Sequence, residues 1–245
     1  MTTPRFYHPG ALIPGNETAL AGNAASHASK ALRMQVGDHA ILFNGDGHNY
    51  LSRLTSIRKQ EVIAEVLEAQ PCPTESPLKI TLAQAISSGD RMDFTIQKAV
   101  EMGVSSIQPI FSQRSIVKLT GERAEKRREH WQNVAISACE QSGRAYIPPV
   151  APAINLSEWL AQKPGADAYI TLAPGAPLTL PQLTSPTRHI CLLIGPEGGL
   201  ADHEIALAAQ HGFTLVRMGP RILRTETAAI AAIASMQTLW GDFIN

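Results

Sequence analysis

The sequence predicts an α/β protein with a parallel sheet, preceded by a smaller β-rich part. Three observations carry this. Near the C-terminus two apolar runs, Ile190–Ile194 and Phe213–Met218, each end in a glycine-marked turn, and a helical stretch separates them. From Lys79 to Phe111 extended and helical periods alternate, which is the pattern of a βαβ unit. The first seventy or so residues read instead mostly as short strands.

In order along the chain, a short helix is expected from about Ala25 to Met34, ending before Gly37. Strands follow at His39–Phe43, Tyr50–Ile57 and Glu61–Leu67. Between the first two, Asn44-Gly45-Asp46-Gly47-His48-Asn49 is a hairpin turn signal. Pro71-Cys72-Pro73-Thr74-Glu75-Ser76-Pro77 should break any regular element, because proline lacks the N–H that helix interiors and central strands require. The domain boundary is placed there, giving domains 1–72 and 73–245.

The second part begins with a strand at Lys79–Ile86, a helix at Asp90–Met102 closed by Gly103, and a strand at Ser106–Phe111. A long polar helix from about Gly121 to Ser142 carries Trp131, Val134, Ala135, Ala138 and Cys139 on one stripe. Ile190–Ile194 has the length and β-branched content of a strand buried on both faces. In the following stretch, Asp202–His211, Asp202 and Glu204 stand in the first turn, where a helix N-terminus favours negative charge. A last helix, roughly Glu226 to Trp240, is rich in alanine and sets Ile230, Ile233 and Met236 or Gln237 on one face.

The two turns are Gly195-Pro196-Glu197-Gly198-Gly199-Leu200 and the segment from Met218-Gly219-Pro220 to Arg224-Thr225-Glu226-Thr227. On open parallel sheets ligands bind outside the carboxyl ends of the strands, where these turns would lie. Neither the P-loop nor the G-x-G-x-x-G spacing occurs. Pro196 removes a donor and Glu197 adds a negative side chain, so a di- or triphosphate is disfavoured. Backbone groups freed by glycine can instead read the edge of an adenine, and Gly198 is expected at the point of close approach. Taken singly, each turn could equally be a plain strand-to-helix connection.

Composition excludes more than it selects. With 44% hydrophobic residues in 245, the chain can bury a sizeable core. No apolar run approaches the ~20 residues of a membrane helix, and a cytoplasmic location is expected. Cys72, Cys139 and Cys191 are odd in number and far apart, which fits free thiols. The eight histidines form no metal-ligand spacing, so no metal is expected.

Leu192 to Leu200 together with Gly219 to Ala228 resembles the 16S ribosomal RNA uridine N3-methyltransferase family, a branch of the SPOUT methyltransferases. The likeness extends to Phe94–Val104, Ala138–Arg144 and Arg5–Pro9, nearly the whole chain. Three residues depart from the family pattern: Ala173 for a histidine, Met218 for a leucine and Ala201 for a serine cap.

The resemblance implies a SPOUT-type knotted parallel sheet with flanking helices, plus a small PUA-like N-terminal β-barrel. By strand count alone an OB-like barrel fits the first part equally well. It further implies a C-terminal trefoil knot, which sequence reasoning alone would reject, a homodimer, and 16S rRNA of the small ribosomal subunit as partner. The cofactor implied is S-adenosyl-L-methionine, placed against Leu172, Ile194, Gly195, Pro196, Glu197, Gly198, Gly199, Met218, Gly219, Ile222, Leu223, Arg224 and Thr227.

The chain carries 21 basic and 21 acidic residues, so attraction for RNA must be local. From Arg114 to Arg128 six basic residues face two acidic ones. Such a run is more often a solvated helix face, but in an RNA enzyme it serves as a phosphate clamp. Arg5, Arg33, Lys98, Arg114, Lys118 and Arg144 are the RNA-binding candidates. Methylation at N3 of uridine requires loss of the N3 proton and an unpaired base. Arg224 is the candidate cation for charge developing on the uracil oxygens, Glu226 the candidate base, and Arg114 the next contact to the target. Structurally, Arg224 could simply brace the loop and Glu226 could simply charge a helix N-terminus. A SPOUT enzyme for another RNA or atom, or a non-enzymatic RNA-binding or assembly protein, are the alternatives.

Overall fold

The structure is a computed structural model that describes residues 3–20, 22–58, 61–117, 119–163, 165–185 and 188–244. It divides into two compact units, Met1–Glu75 with Cys139–Ile147, and Ser76–Ala138 with Pro148–Asn245.

The first unit contains β1 (Arg5–Tyr7), β2 (Glu17–Leu20), α1 (Gly22–Ser26), β3 (His39–Phe43), β4 (His48–Ile57) and β5 (Val62–Pro71). They form a five-stranded mixed sheet in the order β1-β3-β4-β5-β2, with β1 and β3 parallel and the other pairs antiparallel. Phe6, Leu20, Leu42, Leu54 and Val62 are almost fully buried in its core. Each such side chain contributes about 1.5–3 kcal/mol by leaving water.

The hairpin turn between β3 and β4 is held by its own side chains. Asn44 Oδ1 accepts the Asp46 N–H, and Asp46 accepts the His48 N–H and, at 2.6 Å, the Tyr50 hydroxyl. That hydrogen bond to a carboxylate, with burial, pushes the Tyr50 phenol up to about 12.

Two expectations need correction here. The helix predicted at Ala25–Met34 starts earlier and changes pitch: α1 ends at Ser26 and continues as a π-helical turn, His27–Ala31. The break predicted to begin at Pro71 begins one residue later. Pro71 ends β5 opposite His48, beyond the residues that pair with β2, so β5 is an edge strand there and tolerates a missing donor.

Among the described residues the second unit has a sheet of six strands, all parallel. In chain order its elements are β6 (Lys79–Ala85), α2 (Asp90–Glu101), β7 (Ser106–Phe111), α3 (Gly121–Ser142), β8 (Ile154–Asn155), α4 (Leu156–Ala161), β9 (Ala168–Leu172), β10 (His189–Ile194), α5 (Asp202–Gln210), β11 (Thr214–Val216) and α6 (Thr225–Trp240). The strand order is β11-β9-β10-β6-β7-β8. From Ile190 to Ile194 every residue of β10 is buried, as its unbroken apolar run predicts. β11 is shorter than the predicted Phe213–Met218, because Arg217 and Met218 already belong to the loop beyond it.

Helix α6 packs on α2, β6 and β10 through Ala229, Ala232, Ile233 and Met236. Its buried Gln237 finishes α2, donating to the Met102 carbonyl at 3.0 Å and accepting from the Ser76 hydroxyl at 2.8 Å. Gly103 follows with φ +84, where any Cβ would meet Gln237 Nε2 at 2.9 Å.

Helix α3 has the predicted bounds, and Trp131, Ala135, Ala138 and Cys139 of its stripe are buried while Val134 is half-buried. Its last residues and the loop after them belong to the first unit. There Glu140 accepts the Tyr7 N–H at 3.0 Å and the Ala145 carbonyl accepts from Gly47 N–H at 3.2 Å. Burial pushes the Cys139 and Cys191 thiols up to about 12, so both are poor nucleophiles.

Candidate cofactor cavity and its loops

β6 and β10 are neighbours at the centre of the sheet. The chain proceeds from β6 outward through β7 and β8, then crosses to the other side for β9, β10 and β11. Beside this reversal the carboxyl ends of β9, β10 and β11 surround a cavity of about 640 Å³. That is the size of a small-molecule site, in the place where parallel sheets bind ligands.

The loop after β10 is the most constrained wall. Gly199 N–H donates to the Pro196 carbonyl at 2.8 Å, and Gly199 sits at φ +68. The loop turns back so tightly that a Cβ on Gly195 would lie 2.8 Å from Leu200 N and 3.1 Å from Gly199 C. The tightest backbone packing within the loop is therefore at Gly195. At Gly198 an added Cβ would meet the Arg114 side chain, at 3.4 Å.

Glu197 does not act as a free charge in this wall. Its Oε1 accepts the Ser88 N–H at 2.8 Å, the Ser88 hydroxyl at 2.7 Å and Arg91 Nη1 at 2.9 Å. Desolvation pushes its carboxyl up, but the Ser88 and Arg91 hydrogen bonds outweigh it, and the net effect is a fall to about 2. The argument that Glu197 repels an anionic ligand is corrected accordingly: the charge is spent in tying the loop to the N-terminal end of α2.

Arg114 reaches the same loop from beyond β7, its Nη1 donating to the Gly198 carbonyl at 2.9 Å and the Leu200 carbonyl at 3.4 Å. The backbone that presents it is set by Glu204, a residue that sequence reasoning treats only as helix N-terminal charge. Glu204 is buried and accepts both the Gln113 N–H and the Ala201 N–H at 2.8 Å. The latter contact holds the start of α5 although Ala201 has no capping hydroxyl.

The loop after β9 supplies Ala173, Pro174 and Gly175. Ala173 N–H donates to the Val216 carbonyl at 3.0 Å, and Arg217 Nη1 donates to the Ala176 and Pro177 carbonyls at 2.9 and 2.8 Å. The loop after β11 turns at Gly219, φ +73, and leaves Ile222 87% exposed.

Of the residues assigned to a cofactor from the sequence, Leu172, Ile194, Gly195, Pro196, Glu197, Gly198, Gly199, Met218, Gly219, Ile222 and Leu223 line the cavity. Arg224 and Thr227 are not part of the lining; both are exposed, Arg224 at the N-cap position of α6. Glu226 is half-buried in the first turn of α6, outside the lining, and among the described residues its Oε2 has no hydrogen-bond partner. Thr225, Ala228, Asp202, Ile205 and Arg221 also line the cavity, although the sequence reading did not assign them to the cofactor. Thr225 and Ala228 face inward because successive residues of a helix point in different directions, a distinction that a motif read along the chain does not make.

Among the RNA-binding candidates, Arg33 is exposed at φ +52 and Arg114 lines the cavity. Lys98 is held by Glu101 at 2.7 Å and lies over the Phe94 ring. Lys118 lies outside the described residues. Arg144 is 3% exposed and paired with Glu75 at 2.5 Å, so its guanidinium is engaged within the first unit. Arg5 is also turned inward, donating to the Arg144 carbonyl at 3.1 Å and lying 5.1 Å from the centre of the Phe43 ring. Among the described residues there is no metal-binding group of three or more His, Cys, Asp or Glu, and no helix is long and apolar enough to cross a membrane.

Residues 74–237 match the family described as RNA methyltransferase domain, and residues 20–67 match the RNA methyltransferase PUA domain. Fold and site together are thus of the RNA methyltransferase class. Individual relatives narrow the class. Ribosomal RNA small subunit methyltransferase E of Buchnera aphidicola is 34% identical over 240 residues, covering 98% of this chain and 95% of that protein. The crystal structure of the protein of that name from Neisseria gonorrhoeae, bound to S-adenosyl methionine, is 46% identical with TM-score 0.93, covering 99% of this chain and 100% of that one. A Legionella pneumophila structure in complex with the same cofactor is 38% identical with TM-score 0.96, at the same coverage. The chain belongs to the ribosomal RNA small subunit methyltransferase E family.

Proposed function

We propose that this protein transfers a methyl group from S-adenosylmethionine to N3 of a uridine in the decoding region of 16S rRNA. The observation that carries the reading is the cavity walled by three pinned loops at the ends of β9, β10 and β11. Its walls combine backbone N–H and C=O groups with the apolar side chains of Leu172, Ile194, Val216 and Leu223, which suits an adenosine better than a polyphosphate. The cofactor bound in the Neisseria gonorrhoeae and Legionella pneumophila structures supports the same assignment.

S-adenosylmethionine supplies an activated methyl group on a sulfonium. The chain's own residues hold the rest. The lining residues from Leu172 to Leu223 would seat the cofactor, and Arg114 would keep the loop after β10 in place around it. Arg224, exposed beside the cavity, is assigned to charge developing on the uracil oxygens. Glu226, with a carboxylate oxygen that has no hydrogen-bond partner among the described residues, is assigned to the N3 proton. Arg33 and Lys118 are assigned to RNA phosphates.

The division at residues 72–73 into an RNA-contacting domain and a catalytic domain belongs to the same reading. So do a cytoplasmic location, a homodimer and a trefoil knot. The return of α6 from the edge strand β11 to the central strands β6 and β10 supports the knot.

Purified protein incubated with labelled S-adenosylmethionine and small ribosomal subunits from cells lacking the enzyme tests the proposal. N3-methyluridine identified by mass spectrometry is the expected product. A different methylated nucleoside, or cofactor binding without any product, would overturn the N3 assignment.

A further inference from the structure

Gln84 is fully buried near the end of β6, and Thr225, at the start of α6, is 4% exposed. Gln84 Nε2 donates to Thr225 Oγ1 at 2.9 Å, and Thr225 Oγ1 donates to the Gly195 carbonyl at 2.6 Å. The register places Gln84 opposite Ile194, so Gly195 is the first residue past the last β6–β10 pair. Its carbonyl has left the ladder and is taken up by the Thr225 hydroxyl instead.

Two features set this relay apart from ordinary satisfaction of a buried amide. Gln84 Nε2 also donates to the Ala85 carbonyl at 3.0 Å, while its Oε1 is buried and, among the described residues, without a hydrogen-bond partner, so a leucine here would remove an unpaired acceptor together with two donated bonds. The relay also joins the loop after β10 to the start of α6. Gly195 is the pivot of the loop after β10, and Thr225 stands between Arg224 and Glu226.

We propose that Thr225, oriented by Gln84, is a positioning residue. It fixes the loop around the cofactor against the helix end that carries the groups for the uracil, so the methyl donor and the target meet in one geometry. The inference rests on the methyl-transfer reading given above. Its energetic basis is that a displacement of about 1 Å at a reacting centre can cost about 100-fold in rate.

The test compares Thr225→Ser, Thr225→Val and Gln84→Leu with the wild-type protein. The readouts are kcat and KM at saturating S-adenosylmethionine, thermal midpoint, and amide hydrogen exchange of residues 195–200 in the cofactor-free protein. Thr225→Ser keeps the hydroxyl and should stay near wild type in all of them. Thr225→Val should lower kcat by about 100-fold and speed exchange in the loop. Gln84→Leu should lower kcat by far more than any fall in the midpoint accounts for, a split that a purely structural role would not give.

Wild-type kcat and loop exchange in Thr225→Val, or wild-type kcat in Gln84→Leu, would overturn the inference while leaving the function intact. A wild-type protein that neither binds S-adenosylmethionine nor methylates small subunits would overturn the functional reading, and this inference with it.

Discussion

Arg114 Nη1 lies 2.9 Å from the carbonyl oxygen of Gly198, so a cation from beyond β7 holds the loop after β10 from outside while Glu197 holds it from α2. A guanidinium offers several donors in a fixed plane, and this one spends Nη1 on two backbone carbonyls. Arg114 is thus a brace of the cavity wall.

Arg114→Lys keeps the charge and loses the forked geometry. Cofactor affinity, measured by calorimetry, should fall about 10-fold, the equivalent of ~1.4 kcal/mol. An affinity equal to wild type would mean that the Gly198 contact does not shape the site.

Gly195→Ala should impair cofactor binding more than Gly198→Ala. The new methyl at 195 would meet backbone atoms of Leu200 and Gly199, which cannot move without opening the turn. At 198 it would meet the flexible Arg114 side chain. Equal dissociation constants for the two variants would contradict this ordering.

Glu197 is expected to give the protein an acid-sensitive contact. Its folded-state carboxyl lies at about 2, below the ordinary value of 4.5, so the stabilisation is fully present above about pH 4.5 and is lost as pH falls toward 2. Glu197→Gln should therefore flatten the fall of the thermal midpoint across that window. An unchanged profile would show that the Ser88 and Arg91 contacts do not persist in solution.

Arg144→Ala removes a buried guanidinium and its packing while Glu75, 35% exposed, stays solvated, and should destabilise the first unit by about 1–2 kcal/mol, read by urea unfolding. Because the guanidinium is buried, the salt dependence of RNA binding should keep its wild-type slope. A slope reduced by about one would put Arg144 on a phosphate after all.

Much of the site was legible because glycines and prolines act locally. Gly195, Gly199 and Gly219 mark turns whose geometry depends on a few adjacent residues, and apolar runs such as Ile190–Ile194 report burial on both faces directly. The cations were read less well. Arg5 and Arg144 look in sequence like Arg33, yet their side chains turn inward because Phe43, Glu75 and the Arg144 carbonyl wait for them from distant parts of the chain. Glu204 was read as a helix charge for the same reason: Gln113, which it holds, is 91 residues away.

The sequence by itself determined the parallel α/β class, the β-rich first part, the two glycine loops and the family resemblance. These depend on local propensity, on the period of hydrophobic residues and on short motifs. The tertiary structure decided how the loops close around one cavity, and that Thr225 and Ala228 face it while Thr227 does not. It also decided that residues 139–147 join the first unit. Each of these is a contact between segments far apart in the chain, set by how strands and helices pack and left unmarked by any residue type.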